Sequence, residues 1–243
     1  MRIASLLLTI LLSTTALAGE IFIPVAYRGT GANDSLWRTE ITISNITHGL
    51  QVLPTQTTIT LHRENLEPLA ITMPLSQNEV ITIPDALWAW FSVEHGGGIV
   101  RVTWDGNDAR ITARARIYNV TGDGEYGQGV PGVRVDSLLS DVYLPGLSGV
   151  NGNRTNVGVS NPFDRHVLFW ITLYDTSGES RGAFATSVAP RSFRQFNDIF
   201  SYFQAGPLHA AMIRISSSES AIYGYASIVR NDTGDATFVT PAQ

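Results

Sequence analysis

Two short motifs in this sequence contain residue types that acyl-transfer chemistry uses. His95-Gly96-Gly97-Gly98 is a glycine-rich segment of the kind whose backbone N–H groups can stabilise an oxyanion. The accompanying nucleophile motif, G-x-S-x-G, is incomplete, because Gly158-Val159-Ser160-Asn161-Pro162 ends on proline. Successive glycines also suit a tight connection into a strand. The motifs therefore predict structural roles for these residues and a protein that is not an enzyme.

Metal-binding patterns are sparse. The histidines form neither H-x-H nor H-E-x-x-H, and the chain contains no cysteine. Calcium prefers carboxylate oxygens, and two acidic turns offer candidate ligands for a loosely bound ion, namely Asp105, Asp108, Asp123 and Glu125. Asp, Asn and Gly are also the residues that hairpin turns favour. We therefore predict no cofactor and no metal, with calcium at these turns as the alternative.

The elements that position these residues follow a pattern that occurs twice. Segments 38–45 and 154–161 both begin with Arg-Thr, end with Ser-Asn and contain apolar residues at alternate positions. Further blocks match in the same order, ending with Asn119-Val120-Thr121-Gly122-Asp123 and Asn231-Asp232-Thr233-Gly234-Asp235. The loops between the blocks differ slightly in length, which a fold tolerates. The sequence therefore predicts a tandem duplication of one unit.

Short segments of alternating or β-branched residues indicate strands throughout both copies. The predicted strands of the first copy are 21–25, 37–44, 57–62, 70–73, 79–83, 99–104 and 109–118, and 142–145 opens the second. One short helix is predicted after Asp85 and one after Asp198, where each carboxylate is expected to accept from the first helical turn. The predicted fold class is all-β, with two tandem antiparallel β-sandwich units that each contain one short helix.

Residues 1–18 have the features of a secretory signal peptide. Arg2 precedes an apolar run, and Ala16-Leu17-Ala18 has the pattern of a cleavage site. We therefore predict export to the periplasm or to the outside of the cell. The remainder is predicted to divide into unit 1 at 19–131, a linker at 132–141 and unit 2 at 142–243, with the apolar residues of the linker packed against a unit.

Composition argues against several classes of partner. The formal net charge is -5 and no basic cluster occurs, which argues against nucleic acid and anionic membrane surfaces as partners. The lack of cysteine excludes disulfides and a lipid-modified cysteine. No segment after the predicted signal peptide is long and apolar enough to span a bilayer, so we predict no membrane insertion.

Polar residues that occur in both copies are candidates for structural pairs. Arg38 and Arg154 begin equivalent strands, while Asp123 and Asp235 close equivalent turns. A guanidinium can bridge to a carboxylate through two hydrogen bonds. We therefore predict an Arg38–Asp123 pair and an Arg154–Asp235 pair.

Residues that occur in one copy are better candidates for binding. In the predicted strand 111–118, two arginines and a tyrosine share one face, and a tryptophan is expected nearby. These candidate residues are Arg114, Arg116, Tyr118 and Trp104. The second copy is expected to have Ala226 and Ile228 in place of the arginines. The group predicts either an arginine and aromatic binding surface or the contact between the two units.

The repeat blocks resemble those of an uncharacterised family of tandem Ig-like β-sandwich modules in exported bacterial proteins. The resemblance is carried by the S-N turns, by the final N-D-T-G-D block, and by Phe22-Ile23-Pro24-Val25, Trp37-Arg38-Thr39 and Tyr126-Gly127-Gln128. It covers nearly all of the chain after residue 18. The resemblance implies Ig-like units without catalytic residues.

We therefore expect a non-catalytic binding or structural module of the bacterial cell envelope, acting through contacts with an envelope or surface protein. A carbohydrate-binding module is the first alternative, because sandwiches can present aromatic side chains to sugars. The available tryptophans are Trp37, Trp88, Trp90, Trp104 and Trp170. A homo-oligomer or fibre that assembles through exposed strand edges is the second alternative.

Overall fold

The structure is a computed structural model that describes residues 19–31, 35–49, 53–106, 109–121, 124–218 and 221–242. It is all-β, and its strands pair in an antiparallel manner. The predicted signal peptide lies outside the described residues and remains a prediction. Within the described ranges, neither helix has the length and apolar character needed to cross a membrane.

The first half of the described chain contains eight strands and one short helix. The strands are β1 Gly19–Thr30, β2 Leu36–Asn45, β3 Thr55–His62, β4 Leu69–Leu75, β5 Val80–Ile83, β6 Gly96–Trp104, β7 Ile111–Thr121 and β8 Gly124–Pro131. Helix α1, Ala86–Phe91, lies between β5 and β6. The strand order is β4-β3-β6-β1-β2-β7-β8, and β5 also pairs with β2. The strands form two groups, β4-β3-β6 and β5-β2-β7-β8. Strand β1 joins these groups, because it pairs with β6 along most of its length and with β2 at its end.

The second half repeats this arrangement eight strands later in the chain. Its strands are β9 Asp141–Leu147, β10 Asn153–Asn161, β11 Val167–Tyr174, β12 Ser180–Val188, β13 Ser192–Phe196, β14 Ala211–Ser216, β15 Tyr223–Arg230 and β16 Ala236–Val239. Helix α2, Ile199–Tyr202, follows β13. The sheets β12-β11-β14-β9 and β13-β10-β15-β16 have the strand order of β4-β3-β6-β1 and β5-β2-β7-β8. The repeated blocks of the sequence therefore occupy equivalent strands.

Each half has its own buried core, to which both groups of strands contribute. In the first half, Ile59 and Val100 are buried in one cluster with Ile41 and Ile117, which lie in the other group. In the second half, the corresponding cluster includes Phe169. Strand alternation directs these side chains inward, and burying each one contributes about 1.5 to 3 kcal/mol.

The short helices begin where the sequence predicts, but their aspartates do not cap them. No side-chain cap hydrogen bond forms at Asp85 or Asp198. The Asp85 carboxylate accepts two hydrogen bonds from the Nε of Arg28, at 3.0 and 3.1 Å, and Asp198 accepts one from the Ser201 hydroxyl at 2.5 Å. The capping prediction is therefore wrong, because other side chains occupy both carboxylates.

The predicted linker, 132–141, packs against the first half. Val133 exchanges two backbone hydrogen bonds with Phe22, at 2.8 and 2.9 Å. Val135 and Leu138 lie against the buried core of that half. The predicted packing is confirmed for Val133, Val135 and Leu138, whereas the side chain of Leu139 is 38% exposed.

Candidate functional site

In the sheet β13-β10-β15-β16, the two central strands β10 and β15 are buried on both faces. Val157 and Val159 of β10 point into the core of the second half, yet Gly158 and Ser160, which alternate with them, are buried as well. Tyr225 of β15 is only 1% exposed and belongs to the core of the first half. The outer face of this sheet therefore packs against the first half.

Specific contacts join the two halves at this face. The ring of Tyr223 meets the ring of Phe22 edge-on, with 6.1 Å between centroids. The buried hydroxyl of Ser160 donates to the carbonyl oxygen of Pro24 at 2.6 Å. Ser160, the residue at the nucleophile position of the incomplete motif, therefore has a structural partner.

A cavity of about 430 Å³ lies between the two halves beside these contacts. Its first-half wall includes Val25, Tyr27, Thr30, Trp37, Ile117 and Gln128. Its second-half wall includes Arg154, Asn156, Phe193, Gln195, Tyr225 and Ser227. Small-molecule sites commonly have volumes of about 300 to 1,000 Å³ and combine apolar walls with a few polar groups. This inter-half cavity is the candidate functional site.

Strand alternation and one glycine shape the second-half wall. Arg154 and Asn156 are two residues apart on β10, so they share the outer face. Gly158 follows on the same face and pairs directly with Tyr225 across the ladder. A Cβ at Gly158 would overlap the Tyr225 ring, so the glycine lets that ring lie flat on the sheet. The result is an aromatic wall beside two polar side chains.

Internal hydrogen bonds use the amide oxygens of the cavity. Asn156 Oδ1 accepts from the backbone N–H of Asp198 at 3.1 Å, and Gln128 Oε1 accepts from the hydroxyl of Ser227 at 2.7 Å. The amide nitrogens of Asn156 and Gln128 have no hydrogen-bond partner among the described residues. These two amide groups therefore have N–H donors that a ligand could use.

Arg154 contributes a guanidinium to the cavity. Its Nη1 donates to Asn231 Oδ1 at 2.6 Å, and it forms no ion pair with any residue that the structure describes. Burial lowers the pKa of Arg154 from its ordinary value. The predicted Arg154–Asp235 pair is wrong, because the Asp235 carboxylate accepts instead from the backbone N–H of Ala236, at 3.0 Å.

The predicted pair in the first copy has a different outcome. Asp123 lies outside the described residues, so the Arg38–Asp123 pair remains a prediction. The Nε of Arg38 lies 3.8 Å from a carboxylate oxygen of Asp85, which also binds Arg28. Arg38 is therefore close to an internal carboxylate, as an arginine with a structural role should be.

The predicted arginine and aromatic surface forms only in part. Arg114 is exposed, and Nη1 of Arg116 pairs with Glu125 at 2.8 Å. The Arg116 guanidinium lies over the Tyr118 ring, 4.7 Å from its centroid, while Tyr118 itself is only 4% exposed. Trp104 is 5% exposed on β6, so its predicted place in this surface is wrong. The exposed part of the surface consists of the two arginines.

The prediction that Ala226 and Ile228 are the counterparts of Arg114 and Arg116 is wrong by one residue. Thr39 pairs with Ile117 in the first half, and the matching Thr155 pairs with Ile228 in the second. The counterparts of Arg114 and Arg116 are therefore Tyr225 and Ser227. A shift of one residue moves a strand position to the opposite face. It is thus these counterparts, and not the arginines, that line the contact between the halves.

The calcium candidates are used in other ways. Asp105 Oδ1 accepts from the backbone N–H of Gln56 at 3.0 Å, and Glu125 forms the arginine pair described above. Asp108 and Asp123 lie outside the described residues. In the part of the chain that the structure describes, no group of three or more His, Cys, Asp or Glu residues could hold a metal ion.

A charged cluster at the junction of the halves contains a partly buried histidine. In the second half, Nε of Arg191 lies 2.6 Å from Oδ1 of Asp164. Its Nη1 lies 3.9 Å from Oε1 of Glu20, which belongs to the first half. His62 of β3 lies beside it, and burial together with Arg191 and then Arg101 lowers the pKa of His62 below 6.5. The Nε2 of His62 is buried without a hydrogen-bond partner among the described residues. Protonation of His62 is therefore disfavoured in the folded state.

We expect His62 to contribute to a loss of stability in mild acid. Below pH 6.5 the unfolded chain binds a proton at this histidine before the folded protein does, so stability falls as pH falls through that value. The variant His62→Gln should lose less of its free energy of unfolding than the native protein between pH 8 and pH 5.5, as measured by urea unfolding. At pH 8 the histidine is neutral in both states, and this condition serves as the reference. Equal losses in both proteins would contradict the prediction.

The sequence singled out few of the cavity residues. Arg154 is predicted as a structural residue and Trp37 as one available tryptophan, whereas Asn156 occupies a variable position of the repeated segment 154–161 and Gln195 belongs to no motif. The available signal was strand β15, which carries tyrosine, alanine, isoleucine and valine on both of its faces. Such a strand is typical of a sheet that is buried on both sides.

No family model matches this chain, and no curated protein matches it. The resemblance to tandem Ig-like modules therefore remains a prediction. The candidate site is defined by its own geometry, namely an aromatic and amide-lined cavity with one arginine.

Proposed function

We propose that this protein is an exported, non-catalytic binding protein of the bacterial cell envelope. In this proposal, residues 19–131 and 142–243 are two tandem Ig-like β-sandwich units, joined by the linker 132–141. The repeated strand order supports this organisation, as do the two core clusters, one of which also takes in Tyr223 and Tyr225 of the second half. The apolar N-terminal segment supports export.

The observation that carries the binding role is the inter-half cavity. Tyr27, Trp37 and Phe193 provide aromatic surface, while Asn156 and Gln128 provide amide groups. A sugar has both an apolar face of C–H groups and a rim of hydroxyl groups, and this combination fits aromatic rings beside amides. A protein partner usually covers a broad surface of about 800 Å² instead. The cavity therefore favours carbohydrate binding over protein contact.

Contact with an envelope or surface protein is the second candidate function. The outer face that β2 and β7 share exposes Arg114 and holds Arg116 over Tyr118. Arginine is enriched in protein interfaces. This surface supports a protein partner, and the cavity is not needed for it.

Co-sedimentation with envelope material tests the proposal. The purified protein is mixed with envelope material from its own source, before and after that material is treated with protease. Binding to a glycan should survive the protease, and it should be lost when Trp37 is replaced by alanine. Asn197→Ala is a second cavity variant with an exposed side chain, which keeps the test valid if the tryptophan variant fails to fold.

The matched control is Trp170→Ala, at a tryptophan that is partly exposed on β11 and outside the cavity wall. This variant should bind as the native protein does. Binding that disappears after protease treatment would replace the glycan with a protein partner. If no envelope material binds, the envelope-binding function is wrong and self-association becomes the next function to measure.

A further inference from the structure

We propose that the inter-half cavity binds a saccharide that carries a carboxylate group, and that Arg154 recognises this carboxylate. The inference rests on the proposed carbohydrate-binding function and specifies the class of sugar. Uronic acids and other carboxylated sugars belong to this class.

The cavity wall carries a positive charge. Among the described residues of its wall, Arg154 is the one charged side chain. Its single hydrogen bond, to Asn231, leaves other N–H groups of the guanidinium without a partner in the described chain. A guanidinium presents parallel donors that match the two oxygens of a carboxylate. A ligand with a negative charge would therefore complete this wall.

The equivalent arginines of the two halves have different surroundings. Arg38, the counterpart of Arg154, lies 3.8 Å from Asp85. The counterpart of Asp85 is Asp198, whose carboxylate accepts a hydrogen bond from Ser201. Its charge partly offsets the lowering of the Arg154 pKa by burial, although the two side chains form no ion pair. The first copy thus places a carboxylate close to its arginine, whereas the second copy leaves the equivalent arginine to face the cavity.

Two amide side chains in the cavity wall have unused hydrogen-bond donors. Asn156 is buried, and the backbone N–H of Asp198 occupies its amide oxygen. Its amide nitrogen therefore points away from that bond as an unused donor, as does the amide nitrogen of Gln128. Unused amide donors in a cavity that also contains a guanidinium favour a ligand with many acceptor oxygens. The aromatic rings of Tyr27 and Trp37 give the apolar contact that a sugar ring needs.

Matched pairs of sugars test the proposal. A panel of uronic acid disaccharides and their neutral counterparts, such as glucuronosyl-glucose and cellobiose, is titrated into the purified protein by calorimetry. The native protein should bind at least one acidic sugar about tenfold more tightly than its neutral counterpart. Arg154→Gln should abolish this preference, so that the acidic sugar and its neutral counterpart bind with similar affinity. Arg154→Lys keeps the positive charge and should retain part of the preference.

The control variant is Arg114→Gln, which removes an exposed arginine outside the cavity wall and should keep the full preference. If the native protein binds both members of every pair equally, or if Arg154→Gln keeps the preference, the carboxylate proposal is wrong and carbohydrate binding stands. If no sugar binds, both proposals are wrong. Tighter binding of a short peptide with a free C-terminal carboxylate would show that the ligand is not a saccharide.

Discussion

Replacing Tyr225 with alanine is expected to lower the free energy of unfolding by about 3 to 5 kcal/mol. The side chain is 1% exposed and lies where the two halves meet. Its ring stacks on Phe238, with centroids 5.2 Å apart and planes 15° apart, and its hydroxyl donates to Gln195 at 3.1 Å. Alanine would leave a cavity, remove the aromatic contact and leave the Gln195 oxygen without its donor. Urea unfolding followed by circular dichroism measures the loss.

The control for this prediction is Tyr202→Ala. Tyr202 lies on α2 and is 58% exposed, although it also contacts aromatic rings of the second half. Its loss should cost about 1 kcal/mol or less, because most of its surface is already in water. If the two variants lose the same stability, the contact between the halves does not contribute what its burial indicates. The pKa of the Tyr225 hydroxyl is raised by burial, so the residue stays neutral throughout a measurement near pH 7.

Replacing Gly98 with alanine is expected to cost about 2 to 3 kcal/mol. Gly98 belongs to the glycine run that leads into β6, and it pairs with Ala26 of β1. A Cβ at this position would overlap the carbonyl oxygen of His62 on the neighbouring strand β3. A backbone oxygen cannot rotate away as a flexible side chain can, so the strands would have to separate locally. The melting temperature and the urea midpoint of Gly98→Ala should both fall.

Gly129→Ala is the matched control, because a Cβ there meets no atom within 4 Å. Its stability should stay within about 0.5 kcal/mol of the native protein. Native-like stability of Gly98→Ala would show that β3 and β6 can move apart at little cost. The expected loss would explain the glycine run through strand packing, without any need for an oxyanion hole.

Local sequence patterns predicted the strands and the repeat because side-chain alternation reflects the nearest neighbours along the chain. The predicted strand at 57–62, for example, lies within β3, and both short helices begin after the expected aspartates. The β-rich class followed from the same alternation. These features need no knowledge of which strands meet in space.

Pairings between distant residues were harder to predict. Arg154 was expected to bind Asp235 because both occur in repeated blocks, yet sequence blocks do not show which side chain a guanidinium reaches. The error of one residue at Tyr225 has a similar origin. Matching the final N-x-T-G-D blocks gives an alignment that the strand pairing does not follow into β15. One residue is enough to exchange the inner and outer faces of a strand. The cavity depends on which side chain Arg154 reaches and on which face of β15 Tyr225 occupies, so local patterns could not reveal it.

Equivalent positions on the outer sheet faces of the two halves should differ in how many substitutions they tolerate. In the first half this face carries Arg114 to the solvent, and in the second half the equivalent position, Tyr225, is enclosed by the other half. Random substitution at the first position should be nearly neutral, whereas most substitutions at the second should be eliminated by selection for folding. A library that randomises both positions would therefore tolerate many residue types in one copy and few in the other. The shared strand order would then persist while the sequences of the two halves diverge at different rates.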